Sequence, residues 1–230
     1  MNDFTIKLGE GSIRLMARFF TADFHLGSEM VLKTSSGRPW KTVDEMNEGL
    51  VDMCNSIAGP GDVIIHVGDL FCHGNDRGTE GSRLKPDDFV SKIRANFINI
   101  QGNHDVNNGV RSVAYYLRTS LGKVFTDVSV SHYPSFSTKA SGQWRKGDLH
   151  LCGHVHHLWR ENVDIVHRVL NINVGVDVWN YRLVSEPELI NHVRKFMVES
   201  LKKSVENVEP SERKRLDELA GLLDKPSQLT

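Results

Sequence analysis

Residues 62–69 read DVIIHVGD, an almost unbroken apolar and β-branched run that stops on Gly-Asp. A strand with one face in water alternates apolar and polar residues; a run without alternation is buried on both faces. Similar runs recur as RLMARFFTAD (14–23), NFINIQGNHD (96–105), KVFTDVSVSHYP (123–134), DLHLCGHVHH (148–157) and RVLNINVGVDVWNYRLV (168–184). Helical patterns fill the gaps. Thr42 and Glu45 make a capping-box pattern, after which Val43, Met46, Leu50, Met53 and Ile57 recur at three- and four-residue steps until Gly59-Pro60-Gly61. Residues 85–97 and 107–122 are predicted as two further helices, the latter closing on Gly122. Strands and helices that alternate in this way predict an α/β domain over residues 1–185.

After residue 185 the texture changes. EPELINHVRKFMVESLKKSV puts Leu189, Val193, Phe196, Met197 and Leu201 on one face, and SERKRLDELAGLLD follows. Two amphipathic helices are expected, so that residues 186–230 form a helical extension packed on the same domain. Their charges balance and read as a solvated face.

Composition bounds the partners. At 230 residues the chain is long enough to bury a real core. A formal net charge of −1 argues against an overall grip on duplex nucleic acid, although a local groove for a short strand stays open. The three cysteines, Cys54, Cys72 and Cys152, share no CxxC spacing and read as reduced thiols. Neither a signal-peptide pattern nor a stretch long enough for a membrane span is legible, so a cytoplasmic protein without a membrane partner is expected. Oligomeric state leaves no mark.

The chemistry collects where predicted strands end. Asp23 and His25 follow the first, Asp69 the second, and Asn103, His104 and Asp105 the third; His132 ends the fourth, and His154 and His156 the fifth. In open α/β sheets the carboxyl ends of strands form the ligand-binding edge. D-x-H or G-D alone is a weak signal. The ordered set D-x-H, G-D, G-N-H-D, H, G-H-x-H is far more specific. Carboxylate, imidazole and amide ligands suit divalent Mn, Fe, Ni or Zn. Leaving His104 and Asp105 aside, seven candidates are too many for one tetrahedral ion. Two ions about 3.5–4 Å apart that share one carboxylate account for all seven.

This ordered set resembles the calcineurin-like metallophosphoesterases over roughly residues 18–184. The resemblance extends to a small bacterial and phage-type branch, through GRPWKTVDEMNEGLVDMCN, GDVIIHVGDLF, HYP and NVGVDVWNYRLVS. The resemblance implies a metallo-dependent phosphatase-like sandwich of two β-sheets flanked by helices. It implies hydrolysis of phosphate mono- or diesters, with a nucleotide or related small phosphoester as substrate. One metal would be held by Asp23, His25, Asp69 and His156; the other by Asp69, Asn103, His132 and His154, with Asp69 as bridge and Mn as the foremost ion. A hydroxide between the metals would attack. His104 would assist the leaving oxygen, and Asp105 would orient His104 through a hydrogen bond. In an extended segment alternate side chains share a face, so His154 and His156 would enter the site while Val155 and His157 turn away. Many relatives read G-D-x-x-D where this chain reads GDLFCHG, which weakens any transfer of their substrates.

Neighbouring residues have plainer readings. His66, mid-strand, reads as a hydrogen-bonded core histidine, His73 as a surface residue, and Arg38 either as a phosphate clamp or as structural. The competing function, from a different class, is a catalytically silent binding scaffold on the same fold. Such relatives lose ligands or the NHD histidine, and all are present here.

Overall fold

The computed structural model describes residues 5–8, 11–14, 16–34, 37–72, 84–135, 149–205 and the isolated positions 214, 218 and 221. Strands β3 (Arg18–Thr21), β4 (Val63–His66) and β5 (Asn96–Asn99) run parallel, in that order, with β11 (Val184–Ser185) antiparallel on the outer side of β3. A second, five-stranded sheet has the order β6 (Tyr116–Leu121), β7 (Phe125–Ser131), β8 (Leu149–Cys152), β10 (Val169–Asn173), β9 (Glu161–Asp164). Strands β7, β8 and β10 are parallel, and β9 is antiparallel to β10. A hairpin of β1 (Thr5–Leu8) and β2 (Gly11–Arg14) precedes both sheets. The expected α/β class with two mixed sheets is observed.

On β3 and β4, Phe19 and Ile64 belong to a buried cluster with Met46, Leu50, Val51 and Cys54 of α2 (Val43–Ile57). Alternation turns Phe20 and Ile65 to the other face, where they are also buried. The unalternating run at 62–69 therefore has both faces covered, as its composition requires. Helix α2 begins at Thr42, whose side-chain oxygen accepts from the Glu45 amide at 3.2 Å. The Glu45 carboxylate reaches back one residue further than a capping box, accepting from Lys41 N at 2.9 Å. Short helices α1 (Met30–Thr34) and α3 (Pro86–Val90) complete this unit.

Several boundaries differ from the expectations. The helix expected over 107–122 is a 3₁₀ turn, Asp105–Asn107, followed by extended chain and β6. Gly109 takes φ +71, and the extended chain beyond it finds its hydrogen bonds on β5: Val113 N donates to Asn99 O, and Ile100 bridges Ala114. A sheet edge satisfies that backbone as well as a helix would, and it leaves Val113 and Tyr115 exposed. Residues 168–184 are not one strand. Asn173 ends β10 by accepting Gly175 N on its side-chain oxygen at 2.8 Å, and a 3₁₀ turn, Val176–Val178, follows. Strand β9 has no counterpart among the expectations, and the 85–97 helix shrinks to α3.

Two compact units are distinct: residues 1–119 with 127–185, and residues 120–126 with 186–230. Helix α4 (Glu186–Val205) belongs to the second; along it Leu189 and Val193 are buried, and Phe196, Met197 and Leu201 are half-buried. The second expected C-terminal helix falls almost wholly outside the described residues. Among the described residues, no helix is long and apolar enough to cross a membrane.

Candidate metal centre

The two sheets meet at the carboxyl ends of their strands. Ala22, after β3, bridges Gly175, after β10, and Val176 N donates to Ala22 O at 3.1 Å. Here the chain leaves β3 through Asp23 and His25, β4 through Asp69, β7 through His132, and β8 through His154 and His156. Among the described residues, eight non-glycine residues have left-handed backbones. Five of these are Asp23 (φ 60), His25 (φ 50), Asp69 (φ 57), His154 (φ 71) and His156 (φ 48). Each such residue costs on the order of 1–2 kcal/mol, so surrounding contacts must hold it there.

Those contacts are specific. Arg38 is buried and bonded to the chain itself, as its structural reading expects: Nη2 donates to Asp23 O (2.7 Å) and Nη1 to Phe24 O (2.8 Å). Its Nε and Nη2 also grip Asp177 at 3.0 and 3.1 Å. The Asp105 carboxylate accepts from Asp69 N (3.1 Å), Leu70 N (2.9 Å), Gly102 N (2.8 Å) and Asn99 Nδ2 (3.1 Å). Those bonds hold the Asp69 turn; the expected bond from Asp105 to the His104 imidazole is not among them. His104 Nδ1 instead lies 3.3 Å from Cys72 Sγ. The glycines beside the ligand-type residues admit close approach. A Cβ on Gly102 would sit 2.2 Å from Asp69 N, and one on Gly153 would sit 2.7 Å from Asp23 Oδ2.

The expected side chains fall into two groups. Ligand atoms of Asp23, His25 and His156 lie within 4.8 Å of one another, as do those of Asp69, His132 and His154. Asp69 stands between them: its Oδ2 is 3.6 Å from His25 Nε2 and 3.1 Å from His132 Nε2. Asn103 Oδ1 joins the second group, 3.1 Å from His132 Nε2. His104, with a side chain 44% exposed, stands at the rim with Nε2 4.0 Å from Asp69 Oδ2. His154 and His156 reach different groups, though not by strand alternation. Residues 154–157 form a turn in which Val155 N donates to Gly153 O, and both histidines are left-handed. His157 lies outside both groups, and His73 lies outside the described residues. His66 is a buried core residue bonded to Asn99 at 2.7 Å.

The arrangement fits divalent cations by three observations. His25 Nε2 is buried without a hydrogen-bond partner. His132 Nδ1–H donates to Val67 O at 3.0 Å, and His156 Nδ1 meets Asp177 Oδ2 at 2.8 Å; each leaves Nε2 for a ligand. The carboxylates are also crowded. Burial pushes Asp23 up to about 6. At Asp69 burial acts in the same direction, but the His132 hydrogen bond and the neighbouring imidazoles hold its carboxyl well below the usual range. Burial opposes charge on His132 too, yet bonding to Asp69 and the Asp23 charge raise it to about 9. The carboxylates thus favour the charged form of His132 where a cation would stand, whereas burial holds His25 towards its neutral, ligand-competent form.

Asp177 and Cys72 are the residues that sequence reasoning missed. Asp177 follows β10 in NVGVD, at the same sheet edge as the other ligand-type residues, which was its one signal. No protein-family model matches the chain, and no curated protein is significantly similar. Among solved structures, AQ665 from Aquifex aeolicus, a protein of unknown function, is 20% identical with a TM-score of 0.54, covering 76% of this chain and 98% of that one. YfcE, a phosphoesterase from E. coli, is 18% identical with a TM-score of 0.37, covering 69% and 78%. The likeness to AQ665 is one of fold alone.

Proposed function

We propose that the chain is a two-metal phosphoesterase that hydrolyses phosphate mono- or diesters of nucleotide-like or related small substrates, including short nucleic-acid ends. The single observation that carries this reading is the position of Asp69 between two groups of ligand-type side chains, each with ligand atoms within 4.8 Å. Asp23, His25 and His156 would hold one cation and His132, His154 and Asn103 the other, with Asp69 shared. Manganese is the first choice, then iron, nickel or zinc. Such cations supply Lewis acidity to a phosphoryl group and lower the pKa of a water.

The chain's own residues do the rest. His104, exposed at the rim beside Asp69, offers a proton from Nε2 to the departing oxygen. The His104 backbone amide donates to Asp69 Oδ1 at 2.9 Å, so the proton donor and the shared carboxylate are fixed to one another. Asp105 is a positioning residue for the Asp69 turn, and Asp177 and Arg38 serve His156 and Asp23 in the same way. Phosphoester oxygens would meet imidazole donors rather than carboxylates at the rim.

The test is hydrolysis of bis-p-nitrophenyl phosphate and p-nitrophenyl phosphate by manganese-reconstituted protein, followed by a screen of mono-, di- and cyclic phosphoesters. Manganese-dependent turnover is expected on at least one class. Manganese bound without turnover on any of them leaves the scaffold function instead.

A further inference from the structure

A third group in the pocket overlaps the first cation set at His25. His25, Cys72 and His104 each offer one ligand atom, and these atoms lie within 4.8 Å of one another. The Cys72 thiol approaches His104 Nδ1 at 3.3 Å, and the His25 and His104 rings meet edge to face with centroids 5.0 Å apart. His25, the residue common to both arrangements, has a nitrogen in need of a ligand. It is 3% exposed, and its Nε2 has no hydrogen-bond partner. This donor set is one thiol and two imidazoles, with no carboxylate. Magnesium and manganese prefer oxygen ligands, whereas thiolates select softer ions such as zinc and cadmium.

We infer that His25, Cys72 and His104 form an alternative site, overlapping the first cation set at His25, for one soft divalent cation, zinc or cadmium, which blocks the pocket when filled. The blocking consequence rests on the phosphoesterase function proposed above; the binding itself does not. On filling, the Cys72 S–H bond breaks, a sulfur–cation bond forms, and the proton passes to solvent. The occupant withdraws His104 from the leaving oxygen and competes for His25 with the cation held by Asp23 and His156. The remaining thiols, Cys54 and Cys152, are fully buried and lie outside the group, so a thiolate signal reports on Cys72.

The experiment titrates cadmium chloride into the full-length, manganese-loaded protein while following the ultraviolet thiolate-to-cadmium charge-transfer band and bis-p-nitrophenyl phosphate hydrolysis. The band should saturate at one cadmium per chain, with hydrolysis falling in step. Cys72→Ser should abolish the band and raise the cadmium needed for inhibition by at least about tenfold. His104→Ala keeps the thiol and should weaken the band's cadmium affinity by a similar factor. Absence of a band in the parent protein, or a band that persists in Cys72→Ser, overturns the site. A band behaving as described in protein that hydrolyses nothing with manganese upholds the site and removes the phosphoesterase function. Manganese-dependent hydrolysis without any band does the reverse.

Discussion

The group built on Asp23, His25 and His156 and the group built on Asp69, His132 and His154 use the same side-chain types but are held differently. In the first, a buried Arg38–Asp177 pair locks His156 through its Nδ1 and grips the Asp23 and Phe24 carbonyls. In the second, His132 is fixed by a main-chain carbonyl, and His154 stands exposed against the Tyr133 ring at 4.7 Å. The first group is therefore tied through Arg38 and Asp177, and the second through the Asp105 carboxylate at the Asp69 turn and the Val67 carbonyl at His132. The tethers are different residues, so cutting the Asp177 one should weaken the first group and spare the second. Asp69, which stands in both, should respond most.

The largest expected effect is that of Asp69→Asn. Removing the shared charge should empty both groups, so that metal analysis after dialysis finds less than one manganese per chain and hydrolysis is lost. If one full equivalent remained, the groups would be independent. His104→Ala comes next. It should keep the manganese content and lower turnover by roughly 10²–10⁴-fold; release of metal would make His104 a ligand.

The comparison sharpens with Asp177→Asn, which cuts the tether on one side only. Manganese titration of this variant should show one site weakened by about 10–100-fold and the other unchanged. Equal weakening of both would show that the tether serves the whole pocket. The smallest effect lies away from both groups, at His150 of β8, bonded to Ser129 Oγ and Tyr133 O at 2.9 and 3.0 Å. Burial lowers its pKa to about 3, so between that value and its unfolded value near 6.5 only the unfolded chain binds the proton. Its contribution to stability is full at neutral pH and declines as pH falls through that window, by up to about 1.4 kcal/mol per pH unit. Denaturation between pH 7 and 5 should show this slope, and His150→Gln should flatten it; an unchanged slope would assign it elsewhere.

The site was more legible in the sequence than the fold around it. Strand ends are where apolar runs meet chemistry-bearing side chains, so Asp23, Asp69, Asn103 and the histidines could be marked without knowing how the strands are ordered. Secondary structure failed where competing partners decided it. The 107–122 segment carries a helical pattern, yet the β5 edge claims its backbone, and β9 has a burial pattern too short to register. Asp177 escaped because the strand before it was expected to run on through residue 184, whereas the Asn173 side chain ends it. The left-handed backbones at five ligand-type positions leave no trace in composition. At Asp23 and Asp69 they are accompanied by hydrogen bonds to Arg38 and Asp105, both remote in sequence from the strand ends they hold.

Whether Asp69 touches two cations at once can be read from electron paramagnetic resonance of the manganese-loaded protein. A carboxylate shared by neighbouring ions should give an exchange-coupled spectrum that vanishes in Asp69→Asn. A fully loaded protein showing only the spectrum of isolated manganese would contradict the shared carboxylate and the two-metal site with it.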